Sequence, residues 1–280
     1  MHNLDQQEYW SHAAGPSWVS HQDAMDTLLT PVLDLALDAA AVQPGERVLD
    51  IGCGTGQSTD VIGRAVGSAG HVTGLDISET MLALARGRVS ALPQASLICA
   101  DAQTHTFATG GFDLLFSRFG VMFFDDTTAA FANLWQALAP GGRMVLAAWG
   151  PVAGNPWFTE PAQAAREVLG PSPKPDRTLP GPFAFEDANR ILPQLRAAGL
   201  PDPAVHTHDI YLTPGGSVAD VACLCCQIGP ADGALKYHQA DDAARSAVMA
   251  AVAERMAKYD SAEGVRVPAR IHIYTASKAS

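Results

Sequence analysis

Positive charge is scarce in this sequence. Eighteen Lys and Arg face 29 Asp and Glu, a formal net charge of −11 over 280 residues. The basic residues are scattered, so nucleic acid and anionic membrane are set aside as main partners. Hydrophobic runs are short too, and none approaches the roughly 18 residues needed to cross a bilayer. The opening MHNLDQQEYW is polar and lacks the basic stretch and apolar core of a secretory signal. Five cysteines, an odd number, make no disulfide framework and fit a reducing cytoplasm better. No metal is expected either. His206 and His208 alternate along one predicted strand, but no Cys or acid stands near them at ligand spacing.

What is present is alternation. From Met25 to Ala41 apolar residues recur at helical spacing, and Gln43-Pro44-Gly45-Glu46 ends the helix. Short apolar runs then predict strands over 47–51, 71–75, 95–99, 112–116 and 143–149. Helical patterns lie between them over 59–66, 78–90 and 127–138. Strand and helix in turn predict an α/β fold with a doubly wound, mostly parallel sheet. After Gly150 the rhythm fails: eight prolines fall between 151 and 182, around one helix over 161–169. Helices over 186–198, 217–226 and 241–259, a strand over 204–212 and a last strand over 266–276 complete the reading. One domain, 1–280, is expected, with its cofactor-binding core at 44–150. Cap insertions are placed at 151–185 and 217–262, an N-terminal lid at 1–30 and the final strand at 263–280.

The stretch VLDIGCGTGQST, residues 48–59, puts Gly52, Gly54 and Gly56 between the first core strand and its helix. Glycines there allow a tight turn and a ligand close to the backbone, beneath the free N–H groups of a helix start. A dinucleotide fingerprint would need glycine at position 57, where Gln57 stands. Asp76 closes the second strand, where a carboxylate can accept from both hydroxyls of a ribose. Asp101 closes the third, within reach of an adenine amino group.

VLDIGCGTG, GLDIS followed by Met81-Leu82, CADA, FDLLFSRFG and LAPGGRMVLAAW together resemble the class I S-adenosylmethionine-dependent methyltransferases, in particular their ubiquinone- and menaquinone-type small-molecule branch. The resemblance covers residues 47–149. It implies a seven-stranded Rossmann-like sheet whose last strand is antiparallel, with S-adenosylmethionine as cofactor and S-adenosylhomocysteine as product. It also implies that Asp50, Gly52, Cys53, Gly54 and Gly56 cradle the methionine part and that Asp76 holds the ribose. Ile77 and Met81 would pack on the adenine, Asp101 and Ala102 would meet its edge, and Ser117 and Arg118 would lie beneath the sulfonium.

After the fourth strand the chain reads Ser117-Arg118-Phe119-Gly120. The Asn/Asp-Pro-Pro-aromatic run of amino-methylating nucleic-acid enzymes is missing there, as are the acids of arginine-, polyamine- and catechol-type enzymes. The resemblance to the quinone-type branch implies a small-molecule acceptor instead. Candidate catalytic groups are His12, His21, Tyr9 and Arg118, and candidate acceptor contacts are Tyr9, Trp18, Phe119 and Trp149. The aromatics of the first 21 residues suit a lid over the cofactor or, failing that, a homodimer contact. Cys223, Cys225 and Cys226 are expected to pack a helix. Two other functions fit part of the pattern: a cofactor-binding protein without catalysis, and a nicotinamide-dependent oxidoreductase.

Overall fold

The computed structural model describes residues 3–280. The chain opens with α1 (Leu4–Glu8), a wide helical turn over Tyr9–Ala13, α2 (Gly15–Ser20) and the long α3 (Gln22–Ala40). The alternating region is β1 (Arg47–Ile51), α4 (Gln57–Val66), β2 (His71–Asp76), α5 (Glu79–Val89), β3 (Ala95–Cys99), β4 (Phe112–Arg118), α6 (Thr127–Ala137) and β5 (Leu138–Trp149). There follow α7 (Pro156–Leu169), α8 (Ala188–Ala197), β6 (Ala204–Leu212), α9 (Val218–Cys225), α10 (Pro230–Tyr237), α11 (Asp242–Met256) and β7 (Val267–Ser277). Several helix starts are capped by short polar side chains. Ser78 Oγ accepts from Met81 N at α5, Asp126 from Ala129 N at α6, and Ser217 pairs with Asp220 in a capping box at α9.

The seven strands form one sheet in the order β3-β2-β1-β4-β5-β7-β6. Only β7 runs against its neighbours, pairing antiparallel with β5 and with β6. The central strands are buried on both faces, so they read as continuous apolar runs: Val48, Leu49, Leu114, Leu115 and Phe116 are fully enclosed. No single helix among the described residues is long and apolar enough to cross a membrane.

The differences from the sequence reading have local causes. Helix α7 begins at Pro156 and carries Pro161 inside it, whereas the sequence placed its start at Pro161. Proline is well suited to the first helical position, where its missing N–H has no helical partner to lose. Helix α10 was not expected. Gly229, with φ 103°, turns the chain sharply, and Pro230 then starts the new helix. Helix α7 is braced by charge: its Glu160 is nearly enclosed and accepts from Arg255 Nε on α11 at 2.9 Å and from Lys258 Nζ at 2.6 Å.

The N-terminal segment lies against the start of α5. Ser78 Oγ donates to Trp10 O at 2.8 Å and Thr80 Oγ1 to Ser11 O at 3.0 Å. The Trp10 ring meets Phe123 edge-on, with centroids 5.0 Å apart.

Candidate active site

Strand order reverses between β1 and β4. Chain leaving β1 turns towards β2 and chain leaving β4 turns towards β5, which opens a crevice at the strands' carboxyl ends. A cavity of about 260 Å³ occupies this place. Its floor is the β1–α4 loop, one wall is formed by the ends of β2 and β3, and the other by the ends of β4 and β5. Residues of α1 to α3 also face it.

Gly52, Cys53 and Gly54 line the cavity, whereas Gly56 does not. The spacing of the glycines answers to the protein itself as much as to a ligand. A Cβ at Gly52 would lie 2.5 Å from Gly120 Cα, and one at Gly56 2.9 Å from Ala85 Cβ on α5. Asp50 also falls outside the lining and is fully buried beneath the loop. Its Oδ2 accepts from Ser58 Oγ at 2.7 Å and from Thr59 Oγ1 at 2.6 Å. Burial pushes its pKa up, and the two hydroxyls partly offset this. Asp50 braces the turn into α4 from below. Ser117 is likewise a fastening and not a lining group: its Oγ donates to Ile51 O at 2.7 Å and accepts from Gly120 N at 3.1 Å.

Asp76, Ile77, Met81, Asp101 and Ala102 do line the cavity. Asp76 accepts from Gly54 N and from Ser78 N, each at 2.8 Å, so it clamps the glycine loop to the start of α5. Burial raises its pKa to about 6, against the pull of those backbone donors. Asp101 accepts from Gln103 N through Oδ1, while its buried Oδ2 has no partner among the described residues. Cys53 is buried, and burial followed by the charges of Asp76 and Asp50 holds its thiol neutral.

Arg118 lines the cavity and donates to Gln57 Oε1 at 2.6 Å. Burial lowers its pKa, which the nearby Asp26 and Asp50 oppose. Gln57 thus has a use at the position where a dinucleotide fingerprint would carry glycine. Asp26 and Gln22 of α3 also face the cavity, held by Arg88 of α5. Nothing in the linear pattern marked these three, because their side chains meet across elements 62 residues or more apart in sequence.

Of the other candidates, Tyr9, Trp18, Phe119 and Trp149 all reach the cavity. Phe119 has φ 67° and stacks on Trp149, with centroids 4.4 Å apart and planes 9° from parallel. Trp10, Trp157 and Phe158 join them, although the sequence reading gave the last two no role. The expected bases are not brought together. His12 is exposed and off the cavity, and His21 is also off it, its Nδ1 at 2.8 Å from Ser17 O. Tyr9 remains, but burial raises its pKa, so its phenol holds its proton more firmly. Among the described residues no group of three or more His, Cys, Asp or Glu could hold a metal ion.

Residues 48–142 match the family model described as a methyltransferase domain. A demethylmenaquinone methyltransferase of Staphylococcus epidermidis is 38% identical over 104 residues, which is 37% of this chain and 43% of the relative. The chain thus aligns with less than half the length of the curated relatives it matches. Among solved structures, a phosphoethanolamine N-methyltransferase 2 of Haemonchus contortus in complex with S-adenosyl-L-methionine superposes with a TM-score of 0.59 at 17% identity, covering 98% of this chain and 60% of that one. The YcgJ protein of Bacillus subtilis gives 0.55 at 15% identity, covering 89% of this chain and 98% of that one. The fold is the Rossmann-like methyltransferase fold, seven-stranded with one antiparallel member.

Proposed function

We propose that the chain, whose residues 48–142 match a methyltransferase domain, transfers the methyl group of S-adenosylmethionine to a small-molecule acceptor and releases S-adenosylhomocysteine. The carrying observation is Asp101: a carboxylate oxygen buried at the cavity with no partner, one strand away from Asp76 and across from the glycine loop. In this reading Asp101 accepts from the adenine amino group and Asp76 from the ribose hydroxyls. Ile77 and Met81 pack on the base. Gly52 to Gly54 pass beneath the methionine part, and Arg118, held level by Gln57, faces its carboxylate. The bound cofactor supplies an electrophilic methyl carbon, so the chain's task is to position the acceptor and exclude water. Among the described residues no histidine lines the cavity, and burial raises the pKa of Tyr9, so this reading gives the chain no general base and the acceptor's own lone pair attacks the methyl carbon. The N-terminal segment serves as the lid. A calorimetric titration tests the reading: S-adenosylhomocysteine is expected to bind in the micromolar range and NAD not detectably. Tighter binding of NAD would overturn it.

Asp76→Ala is expected to weaken S-adenosylhomocysteine binding by about 2 kcal/mol, roughly 30-fold. The loss is smaller than two charged hydrogen bonds alone would give, because the carboxylate is costly to bury in the ligand-free protein. Unchanged affinity in a folded variant would place the ribose elsewhere.

The same carboxylate sets a pH dependence. Its pKa rises from 3.8 to about 6 on folding, so the folded chain binds the proton more tightly than the unfolded one. Its share of stability is therefore full below 3.8 and lost as pH rises through about 6. Ligand affinity should run the other way, rising across pH 5 to 7 as the carboxylate ionises to accept the hydroxyls. Titrations at half-unit steps check this, and a profile that Asp76→Asn leaves unaltered would assign it to another group.

A further inference from the structure

The methionine part of the cofactor ends in two charges of opposite sign, and the proposed site answers only one of them. Arg118, at the end of β4, lines the cavity. A guanidinium has five N–H donors. Yet the one side-chain hydrogen bond that Arg118 makes among the described residues goes to the neutral Gln57. No ion pair joins it to an acid among those residues, although an enclosed cation is ordinarily paired.

Asp26 of α3 faces the same cavity. Its Oδ2 accepts from Arg88 Nη2, while its Oδ1 takes no hydrogen bond among the described residues. The two charges lie near enough to act on each other: burial lowers the pKa of Arg118, and Asp26 is the acid that opposes this most. Gln57, the first residue of α4, ties them to one place. Its Oε1 accepts from Arg118 Nη1 at 2.6 Å and its Nε2 donates to Asp26 O at 3.4 Å. A carboxylate and a guanidinium thus stand on either side of one amide, unjoined, each with hydrogen-bonding capacity left over. A ligand with a single charge would match one of them and leave the other, whereas a zwitterion matches both.

We infer that Asp26 takes the ammonium of the cofactor's methionine part while Arg118 takes its carboxylate. The grip on the amino-acid end then comes partly from α3, which lies outside the matched residues 48–142. Arg88 does not line the cavity and acts through Asp26, as a positioning residue. The inference rests on the proposed cofactor and adds a residue to its site.

Calorimetry of the full chain with four ligands tests it. They are S-adenosylhomocysteine, its deaminated analogue (4-thiobutanoate in place of homocysteine), its decarboxylated analogue (3-thiopropylamine in that place) and 5′-methylthioadenosine, which has no amino-acid end. The wild type should hold S-adenosylhomocysteine about tenfold tighter than the deaminated analogue. In Asp26→Asn, whose amide still offers Arg88 an acceptor oxygen, that preference should vanish. The preference over the decarboxylated analogue, set at Arg118, should remain, and methylthioadenosine should bind as in the wild type, which shows that the fold survives. If it does not bind, Asp26→Met/Arg88→Met takes the variant's place, since that pair leaves neither charge buried alone. Arg88→Met by itself separates contact from bracing, and there the preference for the amino group should persist. Equal wild-type binding of S-adenosylhomocysteine and the deaminated analogue, a preference that persists in Asp26→Asn, or one that Arg88→Met abolishes would overturn the inference and leave the nucleoside contacts standing. Failure of all four ligands to bind the wild type would overturn the proposed cofactor itself, and this assignment with it.

Discussion

Gly120→Ala is expected to destabilise the protein by about 3 kcal/mol, without any ligand present. A Cβ at Gly120 would lie 2.4 Å from Ile51 O and 2.7 Å from Gly52 Cα. Both obstacles are backbone, so no side-chain rotation relieves them. Moving the turn after β4 would stretch the bond from Gly120 N to Ser117 Oγ, and moving the glycine loop would stretch the one from Gly52 N to Leu75 O, now 2.7 Å. Gly52→Ala meets the same contact from the other side and adds the strain of φ 68°. Gly87→Ala is the matched control. It lies within α5 with nothing within 4 Å of the added methyl, and should stabilise by about 0.5–1 kcal/mol. Urea unfolding of the three variants reads the result. A Gly120→Ala midpoint equal to wild type would mean that the two turns are not in firm contact.

Deleting residues 1–21 should leave a folded core and lower turnover on the order of 10²-fold or more. The segment contributes Asn3, Gln6, Tyr9, Trp10 and Trp18 to the cavity. Its fastening to the core includes the hydrogen bonds from Ser78 and Thr80, the Ser17 Oγ bond to Gln227 O, and the Trp10–Phe123 contact. These are few beside the buried face of α3, where Leu28, Val32 and Ala36 are fully enclosed. Without the segment, water enters above the glycine loop and the acceptor loses a wall. Cofactor affinity should fall by less, since Asp76 and Asp101 remain. Turnover is measured across phenols, quinols, amines and thiols. Amide hydrogen exchange gives a readout needing no acceptor: in the intact chain, exchange over residues 4–20 should slow when S-adenosylhomocysteine is added. Full activity after deletion would show that these aromatics only pack.

The core from 47 to 149 was legible because its signals are local. Each strand is a short apolar run, α5 and α6 carry their own caps at Ser78 and Asp126, and Asp76 and Asp101 stand at or just past the ends of β2 and β3. What the linear pattern could not give was direction. Asp76 ends β2 and lines the cavity, whereas Asp50 stands one residue before the end of β1 and is taken up by Ser58 and Thr59. Ser117 was expected beneath the sulfonium because it follows the strand predicted over 112–116, but its partner, Ile51, is 66 residues away. The N-terminal aromatics were recognisable as non-random, though not which of them turn inward: Trp10 and Trp18 do, while His12 stays in solvent. Proline misled after β5. Pro156 and Pro230 begin helices, whereas a density of prolines usually argues against them.

The placement of β7 bears on how the protein is made. This strand is latest in the sequence but not at the rim of the sheet: it lies between β5 and β6, with Arg143↔Ser277 to Trp149↔Ile271 on one side and Ala204↔Thr275 to Leu212↔Val267 on the other. A ribosome that has emitted residues up to 212 has released β6 with nothing to pair with, and has left β5 as a bare apolar edge. Such an edge recruits foreign strands, and pairing this distant along the chain is slow to form. The nascent chain therefore has a window, closing only when residues 267–277 emerge, in which Met144, Leu146 and Ala148 lie beside open backbone. Chaperone dependence during synthesis, and yield that drops when translation is paused between β6 and β7, follow from that one strand's position.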